Sequence, residues 1–231
     1  MTIPLHTPRA GLSAVLLDID GTLIDSNDAH ARAWVGALAA HGYVVPLEKV
    51  RPLIGMGGDK MLPILVGLDA GSGEADRIAE SRADLFRHEL PSLRPTPGAR
   101  DLLVLLGDAG LELVVATSAA AEEVQAILRQ AGVADLIQMT ASSGDAERSK
   151  PDPDILQAAL RKSGITAAHC IMIGDTPYDV EAANRARVPC VALRCGGGWT
   201  DADLDNALAI YDDPGDLRAQ FDSSPFMKAR D

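Results

Sequence analysis

Two carboxylates, Asp18 and Asp20, lie two residues apart at the end of an apolar run. The run, residues 13–19, is nearly continuously apolar, which is typical of a strand that is buried on both faces of a parallel sheet. Because successive side chains of a strand point to opposite faces, both carboxylates should emerge on the same side. Two carboxylates held together cost electrostatic free energy unless a cation lies between them or one of them stays protonated. The pair therefore predicts a metal-assisted site with one nucleophile and one proton donor.

Three further groups of polar residues follow apolar strands or lie in nearby loops. They are Thr117-Ser118, Lys150, and the segment Gly174-Asp175 with Asp179. Each has a simpler explanation when taken alone, because hydroxyls and carboxylates cap helices and a lysine before a proline is usually a solvated loop residue. Their order along the chain favours a common site, since ligands of an open parallel sheet bind outside the carboxyl ends of its strands. Carboxylates, hydroxyls and an ammonium at one edge are the groups needed to hold Mg²⁺ and a phosphoryl group.

Helical and strand patterns divide the chain into two parts. Between residues 23 and 90 the pattern predicts helices and no strand, over 26–42, 47–55, 57–68 and 73–90. Beyond this part, strands alternate with helices, which is typical of right-handed βαβ units. The helices are predicted over 98–109, 120–131, 153–163 and 178–186, the strands over 111–117, 169–174 and 189–194, and a short apolar segment over 136–140. We therefore predict an α/β fold: a doubly wound parallel-sheet (Rossmann-like) core, residues 1–22 and 95–231, with an inserted all-helical cap domain, residues 23–94.

The composition limits the partners of the chain. Its 231 residues carry a formal net charge of −12, which disfavours binding to nucleic acid or to an anionic membrane through a broad basic surface. No apolar run reaches membrane-spanning length, and the first residues hold no apolar signal core. The three cysteines form no CxxC pair and are expected to be inert thiols in a reducing compartment. We expect a cytoplasmic protein, a monomer or weak homodimer, whose partner is a small phosphorylated metabolite.

These motifs resemble those of the haloacid dehalogenase (HAD) superfamily of phosphatases and phosphomutases. The similarity is to the group with a helical cap inserted after the first strand, which includes phosphoglycolate phosphatases and β-phosphoglucomutases. It covers residues 13–217. The segment Asp18-Ile-Asp20-Gly21-Thr22-Leu23 matches the first motif of the superfamily, Thr117 the second, Lys150 the third, and Gly174-Asp175 with Asp179 the fourth.

The resemblance implies a role for each of these residues. Asp18 would be the nucleophile that forms an aspartyl-phosphate, and Asp20 the acid and base for the leaving alcohol and the attacking water. Thr117, Lys150 and the backbone N–H of Ser118 would bind phosphoryl oxygens. The cofactor would be Mg²⁺, held by Asp18, the backbone carbonyl of Asp20, and Asp175. Asp179 would act through water or orient its neighbours.

The cap is where the resemblance places substrate selection. Its first helix carries His30, which could contact the substrate phosphate or sense cap closure, or be structural. The glycine-rich segment 53–60 matches the substrate-specificity loop of the group, so that Gly55, Gly57 and Lys60 are candidate substrate-binding residues. The hexose-phosphate mutases of the group have an arginine where this chain has Gly58. Lys60 or Arg51 could take its place.

We therefore expect a Mg²⁺-dependent phosphatase that acts on a sugar phosphate or on phosphoglycolate. A phosphomutase of the β-phosphoglucomutase type is the alternative that uses the same intermediate. Phosphonoacetaldehyde hydrolysis would need a Schiff-base lysine from the cap, for which only Lys49 and Lys60 are available. A protein that only binds a phosphometabolite is the remaining possibility, although it would have no need of Asp20. Dehalogenation is set aside because it would need a tyrosine in place of Asp20.

Overall fold

The computed structural model describes Pro8 and residues 10–227. Within them a six-stranded sheet has the order β3-β2-β1-β4-β5-β6, and all of its strand pairs are parallel. The strands are β1 (Ala14–Leu17), β2 (Glu112–Ala116), β3 (Met139–Ala141), β4 (Cys170–Gly174), β5 (Cys190–Leu193) and β6 (Ala209–Tyr211). The helices are α1 (Asn27–Ala40), α2 (Leu47–Val50), α3 (Gly58–Val66), α4 (Gly73–Glu89), α5 (Ala99–Asp108), α6 (Ala121–Gln130), α7 (Asp154–Ser163), α8 (Pro177–Arg185) and α9 (Pro214–Ala219). The α/β class and the doubly wound sheet are confirmed.

β1 lies in the middle of the sheet, and both of its faces are covered by helices and are apolar. Val15 and Leu17 belong to one buried apolar cluster, packed with residues of α5 and α6. Ala14 and Leu16 belong to the cluster on the other face, with residues of α7 and α8. Burial on both faces explains why every residue of β1, Ala14–Leu17, is apolar.

The first four helices after β1 have an apolar cluster of their own. Trp34 and Leu38 of α1 pack there with Met61 of α3 and Ile78 of α4. Trp34, expected inside the cap, is buried in this cluster. No strand lies between residues 18 and 111 of the chain, which agrees with the helical pattern of the sequence. Among the described residues, no helix has both the length and the apolar character needed to cross a membrane.

Two predictions of secondary structure need correction. The helix expected over 47–55 ends at Val50 and continues as a single 3₁₀ turn, Arg51–Leu53, since Pro52 has no N–H to extend the α-helix. The sheet edge formed by β6, and α9 after it, were not predicted. Because β6 has only three residues, its pattern is too short to distinguish from a loop.

Candidate active site

The register of the central strands brings the sequence motifs together. Leu17 pairs with Val115 of β2 on one side and with Ile173 of β4 on the other. The three strands therefore end at the same level, and Asp18 follows β1 beside the ends of β2 and β4. Thr117 follows β2 directly and Asp175 follows β4 directly. This parallel alignment places residues far apart in sequence within reach of one another.

Lys150 lies among the carboxylates and is itself buried. Its Nζ donates to Oδ1 of Asp18 at 2.5 Å and lies 2.7 Å from Oδ1 of Asp179. Burial alone would lower the pKa of Lys150, but Asp179 and Asp18 raise it above its ordinary value. Lys150 is therefore positively charged at neutral pH. It contacts Asp18, the nucleophile predicted from the sequence.

Asp175 is held by two side chains from the first motif and the start of α1. Thr22 Oγ1 donates to its Oδ1 at 2.9 Å, and Asn27 Nδ2 donates to its Oδ2 at 2.8 Å. Glycines leave room for this carboxylate: a Cβ on Gly21 would lie 2.2 Å from Oδ2, and one on Gly196 would lie 1.7 Å from it. Gly21 also has a φ of +78°, a conformation that favours glycine. Sequence analysis did not find Asn27, whose partner is 148 positions away.

Three buried carboxylates form a candidate metal site. Single oxygens of Asp18, Asp175 and Asp179 lie within 4.8 Å of one another. Burial, with Asp179 and Asp18 close by, raises the pKa of Asp175 well above its ordinary value. Burial also raises the pKa of Asp18 to about 7, although Lys150 opposes this shift. One lysine does not neutralise three carboxylates, and an all-oxygen donor set suits a hard divalent cation.

Asp179 is also engaged with the start of α8. Its Oδ2 accepts from Thr176 Oγ1 at 2.7 Å and from the Thr176 backbone N–H at 3.1 Å. Its other oxygen, Oδ1, forms an ion pair with Lys150 but makes no hydrogen bond among the described residues. This geometry favours the predicted indirect role, in which Asp179 orients its neighbours.

Asp20 turns its side chain away from the three-carboxylate cluster. Its Oδ1 accepts from Ser26 Oγ at 2.6 Å and lies 2.8 Å from His30 Nε2. Burial tends to raise the pKa of Asp20, but His30 and Ser26 outweigh burial and hold it below its ordinary value. The His30 ring stacks on Phe86 at a centroid distance of 3.8 Å. His30 therefore touches the predicted acid, and only the backbone carbonyl of Asp20 remains a candidate metal ligand.

Thr117 and Ser118 lie in the wall of two adjoining cavities. One has a volume of about 70 Å³ and is also lined by Asp18 and Asp20. The other has a volume of about 350 Å³ and extends between α3, α4 and the loops that follow β2 and β3. Thr117 Oγ1 accepts from the Ala119 N–H at 3.1 Å. Ser118 Oγ is buried and has no hydrogen-bond partner among the described residues.

The glycine-rich loop of the cap contacts the segment that carries Lys150. The Gly57 N–H donates to Ser149 Oγ at 2.9 Å, and Gly57 lines both cavities. Gly55 lines the smaller cavity, and a Cβ there would meet Thr176 at 2.9 Å. Lys60, expected to bind substrate, instead forms an ion pair with Asp152 and lines neither cavity. The structure thus brings Gly55 and Gly57 to the site, but not Lys60.

One cation of the cavity wall was missed by sequence analysis. Arg82 of α4 lines both cavities and pairs with Glu123 of α6 at 3.0 Å. A polar helix with arginines on several faces gives no signal for which one is buried, so only the tertiary structure distinguishes Arg82.

Comparison with known proteins supports the interpretation of these motifs. Residues 12–187 match the family model of the haloacid dehalogenase-like hydrolases. The chain belongs to this family. It is 32% identical over 211 residues to a phosphoglycolate phosphatase of Rhodospirillum rubrum, covering 87% of each chain. It is 30% identical over 190 residues to an N-acetylmuramic acid 6-phosphate phosphatase of Pseudomonas aeruginosa, covering 81% of this chain and 84% of the relative.

A solved structure agrees with this assignment. The HAD-like chain superposes on a hydrolase from Pseudomonas syringae with a TM-score of 0.84 and 31% identity, over 91% of this chain and 98% of the other. The family resemblance and the enzyme class predicted from the sequence, a phosphoric monoester hydrolase, are confirmed.

Proposed function

We propose that this protein is a Mg²⁺-dependent phosphatase that hydrolyses a small phosphorylated metabolite through an aspartyl-phosphate on Asp18. The observation that carries the proposal is the contact of buried Lys150 with Asp18, a residue that lines the smaller cavity together with Asp20. Lys150 favours the ionised form of Asp18 despite its burial, and an ionised carboxylate is what nucleophilic attack on phosphorus requires.

The residues of the site fit a two-step transfer. In the first step Asp18 forms a bond to phosphorus, the bond from phosphorus to the ester oxygen breaks, and Asp20 gives a proton to that oxygen. In the second step Asp20 takes a proton from water as the water attacks phosphorus, and the bond to Asp18 breaks. Lys150 and the Thr117 hydroxyl hold phosphoryl oxygens throughout. Bound Mg²⁺, held by Asp18, Asp175 and the Asp20 carbonyl, supplies charge that offsets the phosphate and the carboxylates.

Asp20 must be protonated when the leaving group departs. Its low pKa in the free site arises from contacts with His30 and Ser26. An arriving phosphate dianion favours the protonated form of a nearby carboxyl, because it adds negative charge. His30, with Nε2 2.8 Å from Asp20 Oδ1, keeps the Asp20 carboxyl oriented.

We further propose that residues 23–94 act as a cap that selects the substrate above a core of residues 1–22 and 95–231. The helices of this segment supply the cavity wall that faces the leaving group, including Trp34, Gly57 and Gly58. The core carries the groups that would bind the phosphoryl group.

Gly58 favours a phosphatase over a phosphomutase. A Cβ on Gly58 would lie 3.0 Å from the Trp34 ring, so a larger side chain here would require the ring to shift by a few tenths of an ångström. The chain therefore lacks the second-phosphate ligand of the mutases at this position and packs Trp34 closely against the glycine. The names of the relatives, a phosphoglycolate phosphatase and an N-acetylmuramic acid 6-phosphate phosphatase, support a small phosphorylated metabolite as substrate.

A phosphate-release screen tests the proposal. Purified protein with Mg²⁺ is expected to release phosphate from one or a few esters in a panel of sugar phosphates, phosphoglycolate and nucleotides, and not in the presence of EDTA. A separate assay with β-glucose 1-phosphate and a bisphosphate primer tests for phosphomutase activity. Formation of glucose 6-phosphate without phosphate release would contradict the proposal in favour of a phosphomutase.

Metal binding should stabilise the fold in a pH-dependent manner. The pKa of Asp18 is about 7 in the folded chain and 3.8 ordinarily, so the folded state binds more protons than the unfolded state between these values. The contribution of Asp18 to the stability of the metal-free protein therefore falls as the pH rises from about 4 to about 7. Mg²⁺ at roughly 100 times its Kd is expected to add about 2.7 kcal/mol at pH 8 and much less at pH 5.

Thermal unfolding with Mg²⁺ or EDTA across this pH range measures the effect. Asp175→Asn should remove most of the Mg²⁺ response, whereas the exposed control Asp201→Asn should keep it. A Tm shift of equal size at pH 5 and pH 8 would argue against the three-carboxylate cluster as the metal site.

A further inference from the structure

Arg82 is a largely buried cation at the boundary between the two cavities. It lies near the middle of α4, and its side chain is 14% exposed. The guanidinium carbon lies 5.6 Å from the centre of the Trp34 ring. Its charge helps to lower the pKa of Asp20, which places it on the side of the proton donor and hence of the leaving group.

The protein uses at most two of the five N–H donors of Arg82 in the hydrogen bonds of the described residues. Nη1 donates to both carboxylate oxygens of Glu123, at 3.1 and 3.0 Å. Nε is buried and has no partner among the described residues. A buried, unpaired donor of a charged group is costly and calls for a partner. Because Glu123 fixes one end of the planar group, the edge formed by Nε and Nη2 is held in one orientation.

The larger cavity has space for a ligand beside this edge. Its volume of about 350 Å³ falls within the range of small-molecule sites, roughly 300–1000 Å³. Ser118 Oγ, in the wall of the same cavity, is a second buried polar atom without a partner in the part of the chain that the structure describes. A ligand that carries oxygens at that end could pair with both atoms.

We infer that Arg82 is a specificity-determining residue that binds a carboxylate on the leaving group of the substrate through its Nε and Nη2 edge. The inference rests on the proposed phosphatase function and adds the substrate class: phosphate esters of hydroxy acids. A guanidinium edge presents two parallel N–H donors, which match the two oxygens of a carboxylate and not the single oxygen of an alcohol. The reacting phosphoryl group is not the partner, because Lys150 and Thr117 hold it.

Two pairs of esters that differ only in one group test this inference. They are 6-phosphogluconate with glucitol 6-phosphate, and phosphoglycolate with 2-hydroxyethyl phosphate; in each pair a carboxylate replaces an alcohol. The measured quantity is the ratio of kcat/KM within the pair that is turned over faster. Wild-type protein is expected to favour the carboxylate by about 10- to 100-fold, the range for a paired, charge-assisted contact.

Variants of Arg82 should reduce this ratio. Arg82→Lys keeps the positive charge beside Glu123 but loses the two parallel N–H donors of the guanidinium. It is expected to lower the kcat/KM ratio to within a few-fold of unity. The double variant Arg82→Met, Glu123→Gln removes both members of the ion pair, so that no buried carboxylate is left without a partner. Arg87→Met, an exposed arginine of the same helix, is the matched control and should leave the ratio unchanged. Equal kcat/KM values in wild type, or an unchanged ratio in Arg82→Lys, would overturn the inference.

Failure of the proposed function gives a different result. If wild-type protein releases no phosphate from any ester of the screen, the phosphatase proposal is wrong, and the same ester pairs can be titrated into the Mg²⁺-loaded protein by calorimetry. Tighter binding of the carboxylate ester, weakened at least about 10-fold in Arg82→Lys, would still support the role of Arg82. Equal Kd values within both pairs would overturn it.

Discussion

Asp18→Asn is expected to abolish phosphate release, lowering kcat by about 10⁴-fold or more. The amide has the shape of the carboxylate but cannot form the aspartyl-phosphate, so no step of the proposed transfer takes place. The measurement is single-turnover and steady-state phosphate release at pH 7 with Mg²⁺. Asp84→Asn, an exposed position on α4, is the control and should retain wild-type activity. Activity of Asp18→Asn within about 10-fold of wild type would rule out Asp18 as the nucleophile.

The same variant should keep its stability. Asp18 is one of three mutually repelling buried carboxylates, and its pKa of about 7 shows that its charge is disfavoured in the folded chain. Removing that charge relieves the repulsion, and the amide oxygen still accepts from Lys150. We therefore expect the metal-free variant at pH 8 to unfold at a Tm equal to or above that of wild type. A large fall in Tm would mean that the contact with Lys150 outweighs the repulsion.

Lys150→Met is expected to impair both activity and stability. The variant loses the cation that holds phosphoryl oxygens, which should lower kcat by about 10²- to 10³-fold. It also leaves Asp18 and Asp179 buried without their partner, a change that typically costs about 3–5 kcal/mol. The loss of stability should be greatest at pH 8 and smaller near pH 5, where protonation of Asp18, whose pKa is about 7, removes its unpaired charge.

Chemical unfolding at the two pH values measures this difference. Lys162→Met is the matched control: Lys162 pairs with Asp145 at 2.7 Å on the surface and is 40% exposed, so its loss should cost no more than about 1 kcal/mol. Equal destabilisation of Lys150→Met at both pH values would show that lost packing, and not unpaired charge, causes the effect.

Local patterns account for the parts of the fold that sequence analysis predicted. The apolar run that ends at Asp18 predicts a central strand because a strand buried on both faces needs apolar residues at every position. The spacing of the motifs after β1, β2 and β4 predicts one site, since parallel strands end at a common edge. Helices α1, α3 and α4 were predicted because each is long enough to show a period, whereas the three residues of β6 are not.

The sequence by itself determined the family, the α/β class and the set of acids and Lys150 at the sheet edge, because these depend on short motifs. Only the tertiary structure decided which side chains meet across the site. In the folded chain Lys60 pairs with Asp152, 92 positions away, and Arg82 pairs with Glu123, 41 positions away. Both pairs join the helical segment to the core, and their formation depends on how α3 and α4 dock. Docking is set by packing over the whole interface and has no local signal, so the position of Arg82 in the cavity wall emerged only with the fold.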